Sequence, residues 1–509
     1  MRILLVSTYE LGHQPLAVAS PAGALGRAGH DVKCVDLSVE PLEAPSVRWA
    51  DAIACSVPMH TACRLALGAC ARIRSIDPLV PICLYGLYAD LAGSATPEPI
   101  VDLAVAGEYE PRLLQWVQEL EDRAARDDAR VRPDPEPSPS RATTTVVELG
   151  RGRFGLPARH LLPPLDRYAH LAAFGELRRA GYVEASHGCA HRCRHCPVPV
   201  VYDGRTRLVN LDALLADVAQ LVEMGAQHVT FGDPDFLNGP HHALRAVRAL
   251  HQEFSDLTFD VTAKVEHVLD QRDVWPSLAD AGCLFVVSAF ESASDTILAH
   301  LAKGHVRADE VEAVAVLRAS GIEPRPSLLP FTPWTSAQDL VDLLDLVAAC
   351  DLVGNVDPVQ YAIRLLVPPG SLLLQSGSLD TFLGPYDAER LSFAWRPADD
   401  RLDVLAGHLA HLAERAGAEG WPAESAYEAV RAETAAVLGP CASGPPPPSA
   451  ARLRSRFAPD ERPRLTEAWF CCAEPTESQF RTAAGEPEGE GVGEVEVEEP
   501  QMATSPTRG

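Results

Sequence analysis

Three closely spaced cysteines are the residues of this chain best suited to chemistry. Cys189, Cys193 and Cys196 follow the spacing Cys-x-x-x-Cys-x-x-Cys. Three thiolates hold only three irons of a [4Fe-4S] cube, whereas an electron-transfer cluster normally has four thiolate ligands. The spacing therefore predicts an iron–sulfur cluster whose fourth iron is open to a substrate or cofactor.

A structural zinc ion is the alternative for the same cysteines. Such a site needs four nitrogen or sulfur ligands at tetrahedral geometry, and His191 or His195 is close enough in sequence to supply the fourth. Zinc ligands usually come as two separated pairs joined by a loop. The spacing favours iron and leaves zinc as the alternative.

The elements that must position these cysteines alternate between strands and helices. Between residues 182 and 400, strand candidates end near Ser186, Asp233, Lys264, Glu291, Pro330 and Arg364. Six β/α repeats predict a partial barrel, in which active-site residues lie at the carboxyl ends of the strands. The cysteine loop follows the first of these strands.

An earlier α/β domain is predicted for residues 1–122. Short apolar runs such as Arg2–Ser7 and Asp51–Val57 alternate there with helical segments. This pattern indicates a parallel sheet covered on both faces, which is a doubly wound α/β domain. Such sheets bind ligands at the carboxyl ends of their strands.

The remaining segments are assigned by composition. Residues 123–145 are rich in Arg, Asp, Pro and Ser and predict a linker, and residues 481–509 include seven glutamates between positions 486 and 499, which indicates a disordered acidic tail. The other expected segments are a connecting segment at 146–181, a helical extension at 401–440, a Pro-rich linker at 441–463 and a Cys-Cys tail motif at 464–480.

Polar residues at the predicted strand ends are candidates for binding a ligand. Gly232 would let the backbone approach a ligand closely, and the Asp233 carboxylate can accept hydrogen bonds from an ammonium group. A simpler role for Asp233 is a β–α turn, and for Ser292 a helix N-cap. Lys264 and Arg364 could bind an anion, although either is also compatible with an ordinary surface cation.

The three-cysteine motif resembles that of the radical S-adenosylmethionine (SAM) superfamily. The resemblance implies that the open iron chelates SAM and that one electron from the cluster cleaves SAM into methionine and a 5′-deoxyadenosyl radical. Phe290-Glu-Ser-Ala-Ser294 looks like the Glu-Ser-x-Ser segment of the methylthiotransferase and cobalamin-binding branches.

The resemblance also implies roles for the strand-end residues. Gly232 and Asp233 would grip the methionyl amino group of SAM, although their match to the usual Gly-Gly-Glu segment is loose. Glu291 and Ser292 would bind its ribose and carboxylate. Lys264 and Arg364 would bind the SAM carboxylate or an anionic substrate.

An α/β domain before such a barrel resembles the cobalamin-binding arrangement. Thr8–Pro15 and Gly107–Pro111 fall at strand ends, where a corrinoid would lie. The Asp-x-His-x-x-Gly motif that supplies an axial histidine is absent, because Glu10 rather than aspartate precedes His13 and no glycine follows it. The domain therefore either binds cobalamin without that ligand or is a degenerate copy.

The segment Glu467-Ala-Trp-Phe-Cys-Cys-Ala-Glu-Pro475 places Cys471 beside Cys472. Taken alone, the two are a packing pair or an incidental one. The segment closely resembles the signature of the CUAEP/CCAEP-tail radical SAM family, some members of which carry selenocysteine at the second position. This implies a reactive thiol at Cys472, with Cys471 as its partner, acting as a redox pair, a metal ligand or a clamp for a soft atom.

Composition limits the partners and the compartment. The net charge of −26 argues against nucleic acid, and no apolar stretch is long enough to span a membrane. The thirteen cysteines are spread along the chain, and no signal peptide is evident, which predicts a reducing cytoplasm. We expect a small-molecule substrate and an electron donor such as flavodoxin or ferredoxin.

The sequence thus predicts a radical SAM enzyme that transfers a methyl or alkyl group with the help of cobalamin. One alternative is a radical SAM enzyme without cobalamin, acting as a methylthiotransferase or transferring another SAM-derived group. Another is a non-enzymatic redox sensor, which would have no reason to make 5′-deoxyadenosine.

Overall fold

The structure is a computed structural model that describes residues 1–94, 100–128, 143–150, 154–439 and 453–467. The described residues form two α/β units, one before and one after the connecting segment 154–168, with helices and a hairpin added at the end.

The first unit is a six-stranded parallel sheet between two layers of helices. Its elements are β1 (Arg2–Ser7), α1 (Leu16–Arg27), β2 (Asp31–Asp36), α2 (Ala44–Trp49), β3 (Ala52–Ser56), α3 (His60–Ile76), β4 (Ile82–Tyr85), α4 (Ala89–Ser94), β5 (Leu103–Gly107), α5 (Glu110–Asp128) and β6 (Thr144–Glu148). The strand order is β2-β1-β3-β4-β5-β6. Separate apolar cores cover the two faces, which confirms the doubly wound fold.

The first unit extends further along the chain than the sequence predicts. Helix α5 continues to Asp128, and Thr144 and Thr145 begin β6, which pairs in parallel with β5. The expected linker at 123–145 therefore overlaps a helix and a strand. The β-branched run Thr143-Thr-Thr-Val-Val147 suits a strand, and it is short enough to be obscured by the polar residues before it.

The second unit is a curled sheet with helices on its outer face. Its elements are β7 (His170–Ala173), β8 (Glu176–Val183), β9 (Ser186–Gly188), α6 (Val198–Tyr202), β10 (Thr206–Leu208), α7 (Leu211–Glu223), β11 (His228–Phe231), α8 (Pro240–Glu253), β12 (Thr258–Thr262), α9 (Val265–Asp270), α10 (Trp275–Asp280), β13 (Cys283–Glu291), α11 (Asp295–Leu301), α12 (Arg307–Ala319), β14 (Glu323–Leu328) and α13 (Ala337–Ala349). The sheet order is β14-β13-β12-β11-β8-β7, and the five strands from β8 to β14 are parallel.

The partial barrel has five full parallel strands rather than the six expected. At the sixth position the described chain makes a single parallel bridge between Phe331 and Arg364. Pro324 and Pro326 occupy alternate positions of β14, and proline has no N–H group to donate. Strand β14 therefore has the proline content typical of an edge strand.

The first barrel strand also ends earlier than expected. Strand β8 stops at Val183, and Ser186–Gly188 instead form β9, which pairs antiparallel with β10. Gly188 has a φ of 74°, and a Cβ atom there would lie 2.3 Å from the Arg205 carbonyl oxygen. Pairing of β9 with β10 closes the cysteine loop between them.

The last elements tie the two units together. They are β15 (Leu383–Asp387), β16 (Ser392–Trp395), α14 (Arg401–Glu419), α15 (Ala423–Leu438) and β17 (Arg464–Leu465). Leu391, between β15 and β16, packs into the core of the first unit, while α14 and α15 pack on the barrel. In the part of the chain that the structure describes, no helix has the length and apolar character needed to cross a bilayer.

Candidate active site

The cysteine loop lies at the carboxyl end of the barrel sheet, facing the first unit. Cys189 and Cys193 are buried, Cys196 is half-buried, and all three are free thiols. Ala106 of β5 belongs to the same apolar cluster as Cys189, Val198 and Tyr202. The first unit therefore helps to exclude water from the loop.

The spread of the three sulfur atoms distinguishes between the two predicted metals. Two thiolates on one zinc ion lie at most about 4.6 Å apart, since each Zn–S bond is about 2.3 Å long. Among the described residues, no group of three ligand atoms that includes a cysteine lies within 4.8 Å of one another. At least one sulfur–sulfur distance in the loop is therefore too long for a single zinc ion, while the corners of an iron–sulfur cube span such distances.

The two histidines proposed as a fourth zinc ligand have other partners. Nε2 of His195 lies 3.3 Å from Oε1 of Glu291, and Nε2 of His191 lies 3.2 Å from Nε2 of His267. The thiols fit the three-cysteine cluster better than a zinc site.

Burial holds two of the three thiols in their protonated form. Burial raises the pKa of Cys189 to about 11, and the Asp235 charge adds to this effect. Burial also raises the pKa of Cys193, while Lys303 and Lys264 oppose it. The thiols of Cys189 and Cys193 are therefore protonated at neutral pH unless a metal replaces their protons.

Asn238 holds the start of the cysteine loop. Its Oδ1 atom accepts a hydrogen bond from the Ala190 amide at 3.1 Å and lies 3.8 Å from Sγ of Cys189. Sequence reasoning missed Asn238, since only the fold brings the turn after β11 against this loop.

Glu291 is the most constrained of the predicted site residues. It follows a bulge at the end of β13 and has a φ of 67°, a conformation that is uncommon for residues other than glycine. Its Oε1 atom lies 3.0 Å from Nζ of Lys303 and 3.3 Å from Nε2 of His195. Burial opposes ionisation, but Lys303 and His195 outweigh it and lower the pKa of Glu291 to about 2. The ionised carboxylate thus links the barrel to the cysteine loop.

Ser292 makes a local contact beside Glu291. Its Oγ atom accepts a hydrogen bond from the Ser294 amide at 3.2 Å, just before α11. Ser294 is the residue at the N-cap position of that helix. The N-cap position considered for Ser292 thus belongs to Ser294, whereas Ser292 accepts a hydrogen bond just before it, and the predicted contact of Ser292 with SAM stays a prediction.

Gly232 and Asp233 make structural contacts within the barrel. A Cβ atom at Gly232 would lie 1.9 Å from the Tyr182 hydroxyl, so the glycine makes room for that ring. The buried Asp233 carboxylate accepts hydrogen bonds from the Ala185 amide at 2.9 Å and from the Ser186 hydroxyl at 2.5 Å. Both carboxylate oxygens thus hold the segment that leads into the cysteine loop. The predicted contact of Gly232 and Asp233 with SAM stays a prediction.

The two predicted cations lie in different places. Lys264 is buried at the start of α9, with Nζ 3.0 Å from Glu266, and its charge reaches Cys193. Arg364 pairs with Asp403 of α14 at 2.6 Å and lies over the Trp395 ring at 4.4 Å. The structure therefore brings Lys264 to the cysteine loop and directs Arg364 toward the C-terminal helices.

The strand ends of the first unit face the same loop. Glu108, after β5, lies 3.0 Å from Nδ1 of His187 and accepts a hydrogen bond from the Tyr202 hydroxyl at 3.0 Å. The His13 ring, after β1, lies 4.9 Å from the ring of Tyr182. A cavity of about 330 Å³ lies between the units here, lined in part by Glu108, Glu110 and His187.

Cys471 and Cys472 lie outside the described residues. The last described residue, Glu467, accepts a hydrogen bond from the Tyr9 hydroxyl at 2.9 Å. Its side chain also lies beside Gly12, where a Cβ atom would be 2.8 Å away. The described chain thus ends against the loop that follows β1.

Comparison with known proteins agrees with this geometry. The sequence profile described as "Radical SAM superfamily" matches residues 183–347. Hopanoid C-2 methylase of Rhodopseudomonas palustris (strain TIE-1) is 23% identical over 328 residues, covering 62% of this chain and 57% of that protein. A tRNA-2-methylthio-N(6)-dimethylallyladenosine synthase of Fusobacterium nucleatum is 26% identical over 227 residues, covering 40% and 47%. The chain spans about half the length of these curated relatives.

Among solved structures, the fold is similar to that of the cobalamin-dependent SAM radical enzyme OxsB with aqua-cobalamin and SAM bound. The TM-score is 0.64 at 13% identity, covering 86% of this chain and 71% of that one. At this identity the likeness concerns the fold. The profile match and the three-cysteine loop place a radical SAM domain at residues 183–347, a type of domain that takes a [4Fe-4S] cluster and SAM.

Proposed function

We propose that this protein is a cobalamin-assisted radical SAM transferase that moves a methyl or alkyl group to a small molecule. The observation that carries the proposal is the contact between the strand ends of the first unit and the cysteine loop, with Glu108 3.0 Å from His187. The hopanoid methylase is a relative named for methyl transfer, and the OxsB structure holds cobalamin and SAM together.

The topology of the first unit supports a ligand at this face. In the strand order β2-β1-β3-β4-β5, β2 is added on one side of β1 and the later strands are added on the other side. Ligands of such sheets bind outside the carboxyl ends of the strands at the point between β1 and β3. The loop after β1, Thr8–Pro15, lies at that point, and it would hold the corrinoid together with the loop after β5, Gly107–Pro111, at the same edge of the sheet. The 330 Å³ cavity by itself is smaller than a corrinoid, so we propose that the Glu108–His187 contact opens when cobalamin binds.

His13 shows whether a residue at this face of the first unit is suited to bind the cobalt of cobalamin. It is buried in the loop after β1, and its Nδ1 atom has no hydrogen-bond partner among the residues that the structure describes. Burial lowers the pKa of His13 to about 4, so the imidazole is neutral at physiological pH. A neutral imidazole is a common metal ligand, and His13 suits the proposal even though the Asp-x-His-x-x-Gly motif is absent.

The chain's own residues would prepare the radical step. A [4Fe-4S] cluster held by Cys189, Cys193 and Cys196 would supply the electron for the cleavage of SAM. The Lys303–Glu291–His195 contacts hold the cysteine loop against the barrel, and the Asp233 carboxylate holds its first residues. Glu291 is buried and ionised, so it can also orient a polar group of SAM.

We further propose that Cys472 is a reactive thiol of the CUAEP/CCAEP type, with Cys471 as its partner. Support comes from the motif at 467–475 and from the anchor of Glu467 on Tyr9. Five residues reach at most about 18 Å from that anchor, which is enough to approach the interface between the units. We expect Cys472→Ser to abolish substrate turnover while SAM cleavage continues, measured by product and 5′-deoxyadenosine in one assay. Cys34→Ser, a half-buried thiol in β2, is the control, and unchanged turnover in Cys472→Ser would remove the tail from the mechanism.

A radical SAM reaction without cobalamin is the second candidate, supported by the methylthiotransferase-type relative. The amount of cobalt bound to the protein distinguishes the two candidate functions. After anaerobic reconstitution with hydroxocobalamin and removal of free cofactor, the first predicts cobalt bound to the protein, and the second predicts iron without cobalt.

A further inference from the structure

Three side chains beside the cysteine loop converge without a role in the proposed reaction. They are His191 in the loop, Asp235 after β11 and His267 on α9. Among the described residues, they are the one group of three histidine, cysteine or acidic side chains whose ligand atoms all lie within 4.8 Å of one another. Each comes from a different element at the carboxyl end of the barrel sheet.

The distances within this group match the needs of one metal ion. Nε2 of His191 lies 3.7 Å from Oδ2 of Asp235, which in turn lies 2.9 Å from Nδ1 of His267. One ligand atom from each of the three residues lies within 4.8 Å of the other two. Nitrogen and oxygen ligands bind first-row metals at about 2.0–2.2 Å, so two ligands of one ion are at most about 4.3 Å apart.

The Asp235 carboxylate is fixed in position by hydrogen bonds from backbone amides. Its side chain is fully buried, and its two oxygens accept hydrogen bonds from the Leu237 amide at 3.0 Å and the Lys264 amide at 3.3 Å. Besides these neutral donors, the buried carboxylate faces the imidazoles of His267, at 2.9 Å, and His191, at 3.7 Å.

His267 is oriented toward the same carboxylate. Its Nδ1 atom is buried and lies 2.9 Å from Oδ2 of Asp235, a distance that suits a proton between the two groups. A metal ion bound there would replace that proton. Metal-bound histidines usually have an outer carboxylate on their other nitrogen, and Glu266 lies 3.6 Å from Nδ1 of His191.

We propose that His191, Asp235 and His267 bind one divalent first-row transition ion, separate from the iron–sulfur cluster. Two imidazoles and one carboxylate form the ligand set typical of non-heme Fe(II) and leave coordination positions open. Water or an anionic group of the substrate fills those positions. The site goes beyond the proposed group transfer and does not depend on cobalamin.

The experiment uses Mn²⁺ as the probe on the anaerobically reconstituted enzyme. The oxidised [4Fe-4S] cluster has no electron spin, so bound Mn²⁺ is counted by electron paramagnetic resonance while iron is counted in the same sample. The wild type is expected to bind one Mn²⁺ per chain with nitrogen couplings from imidazole. His267→Ala and His191→Ala should bind it at least about tenfold more weakly, since losing even an outer partner of a metal costs about 10–100-fold in affinity.

The controls separate a second metal from damage to the loop. His408→Ala, on the exposed face of α14, should bind Mn²⁺ like the wild type. Retention of cluster iron in His267→Ala together with loss of Mn²⁺ supports the site. The proposal is overturned if the wild type binds no Mn²⁺, if His267→Ala binds it equally well, or if both histidine variants lose the cluster iron along with Mn²⁺.

Discussion

At the residue scale, the function depends on thiols that the fold both buries and surrounds with charge. Burial raises the pKa of Cys193, and Lys303 and Lys264 oppose that effect. A thiol in this setting has little reactivity as a free group, but it becomes a strong ligand once iron replaces its proton.

The first prediction concerns Cys193. Cys193→Ala should lose cluster iron and abolish formation of 5′-deoxyadenosine from SAM, because two thiolates hold a cube poorly. Iron content and deoxyadenosine are measured after anaerobic reconstitution. Cys283→Ala removes a buried thiol of β13 outside the loop and should retain both properties. Normal deoxyadenosine formation by Cys193→Ala would refute the assignment of the cluster.

The second prediction concerns pH and Asp233. Burial raises the pKa of Asp233 to about 7, although hydrogen bonds from Ser186 and Ala185 oppose it. An unfolded aspartate has a pKa of about 3.9, so between these values the folded state holds a proton that the unfolded state has lost. The free energy of unfolding therefore decreases as pH rises from about 4 to about 7, by at most about 4 kcal/mol.

Asp233→Asn should remove that part of the pH dependence. Its amide can still accept a hydrogen bond from the Ala185 amide and donate one to the Ser186 hydroxyl, but it does not titrate. Urea unfolding at pH 5, 6 and 7 measures the effect, with Asp280→Asn at an exposed position as the control. An equal slope in the wild type and Asp233→Asn would contradict the assigned pKa.

At the element scale, the sequence predicted those features that depend on residues close together in the chain. The apolar runs revealed the strands of the first unit, and the spacing of Cys189, Cys193 and Cys196 revealed the metal loop. The predicted sixth repeat is present as a single parallel bridge between Phe331 and Arg364 rather than as a full strand, and β/α alternation alone does not reveal its length. Asn238, Lys303 and the His191–Asp235–His267 group act through contacts between distant segments, which residue spacing alone does not reveal.

Arg159 illustrates such a contact and carries the third prediction. It lies in the connecting segment with its side chain 1% exposed, and it pairs with Asp217 of α7 at 2.8 Å. It also donates hydrogen bonds to the carbonyl oxygens of Tyr182, at 2.6 Å, and Gln14, at 3.3 Å. One guanidinium group thus joins the first unit, the connecting segment and the barrel.

Arg159→Lys should lower the free energy of unfolding by about 3–5 kcal/mol, because an ammonium group cannot make these planar, paired contacts and leaves buried groups unsatisfied. Arg431→Lys, at a more exposed pair with Asp345, should cost less than about 1 kcal/mol. Urea unfolding of both variants measures the difference. Equal small losses would show that Arg159 does not join the units.

At the scale of the whole molecule, the two units meet where their strands end. The loop after β5 lies beside the cysteine loop, the loop after β1 contacts β8 through His13 and Tyr182, and the described chain ends at Glu467 against the loop after β1. A cofactor bound by the first unit would therefore lie next to SAM in the barrel. This juxtaposition is the physical basis for proposing group transfer between two cofactors.

The most direct measurement is anaerobic reconstitution with iron, sulfide and hydroxocobalamin, followed by gel filtration, metal analysis and reduction by dithionite in the presence of SAM. We predict roughly four irons and one cobalt per chain, together with 5′-deoxyadenosine. Iron and deoxyadenosine without cobalt would contradict the cobalamin proposal and leave the radical SAM domain intact. A colourless protein with one zinc and no deoxyadenosine would contradict the account as a whole.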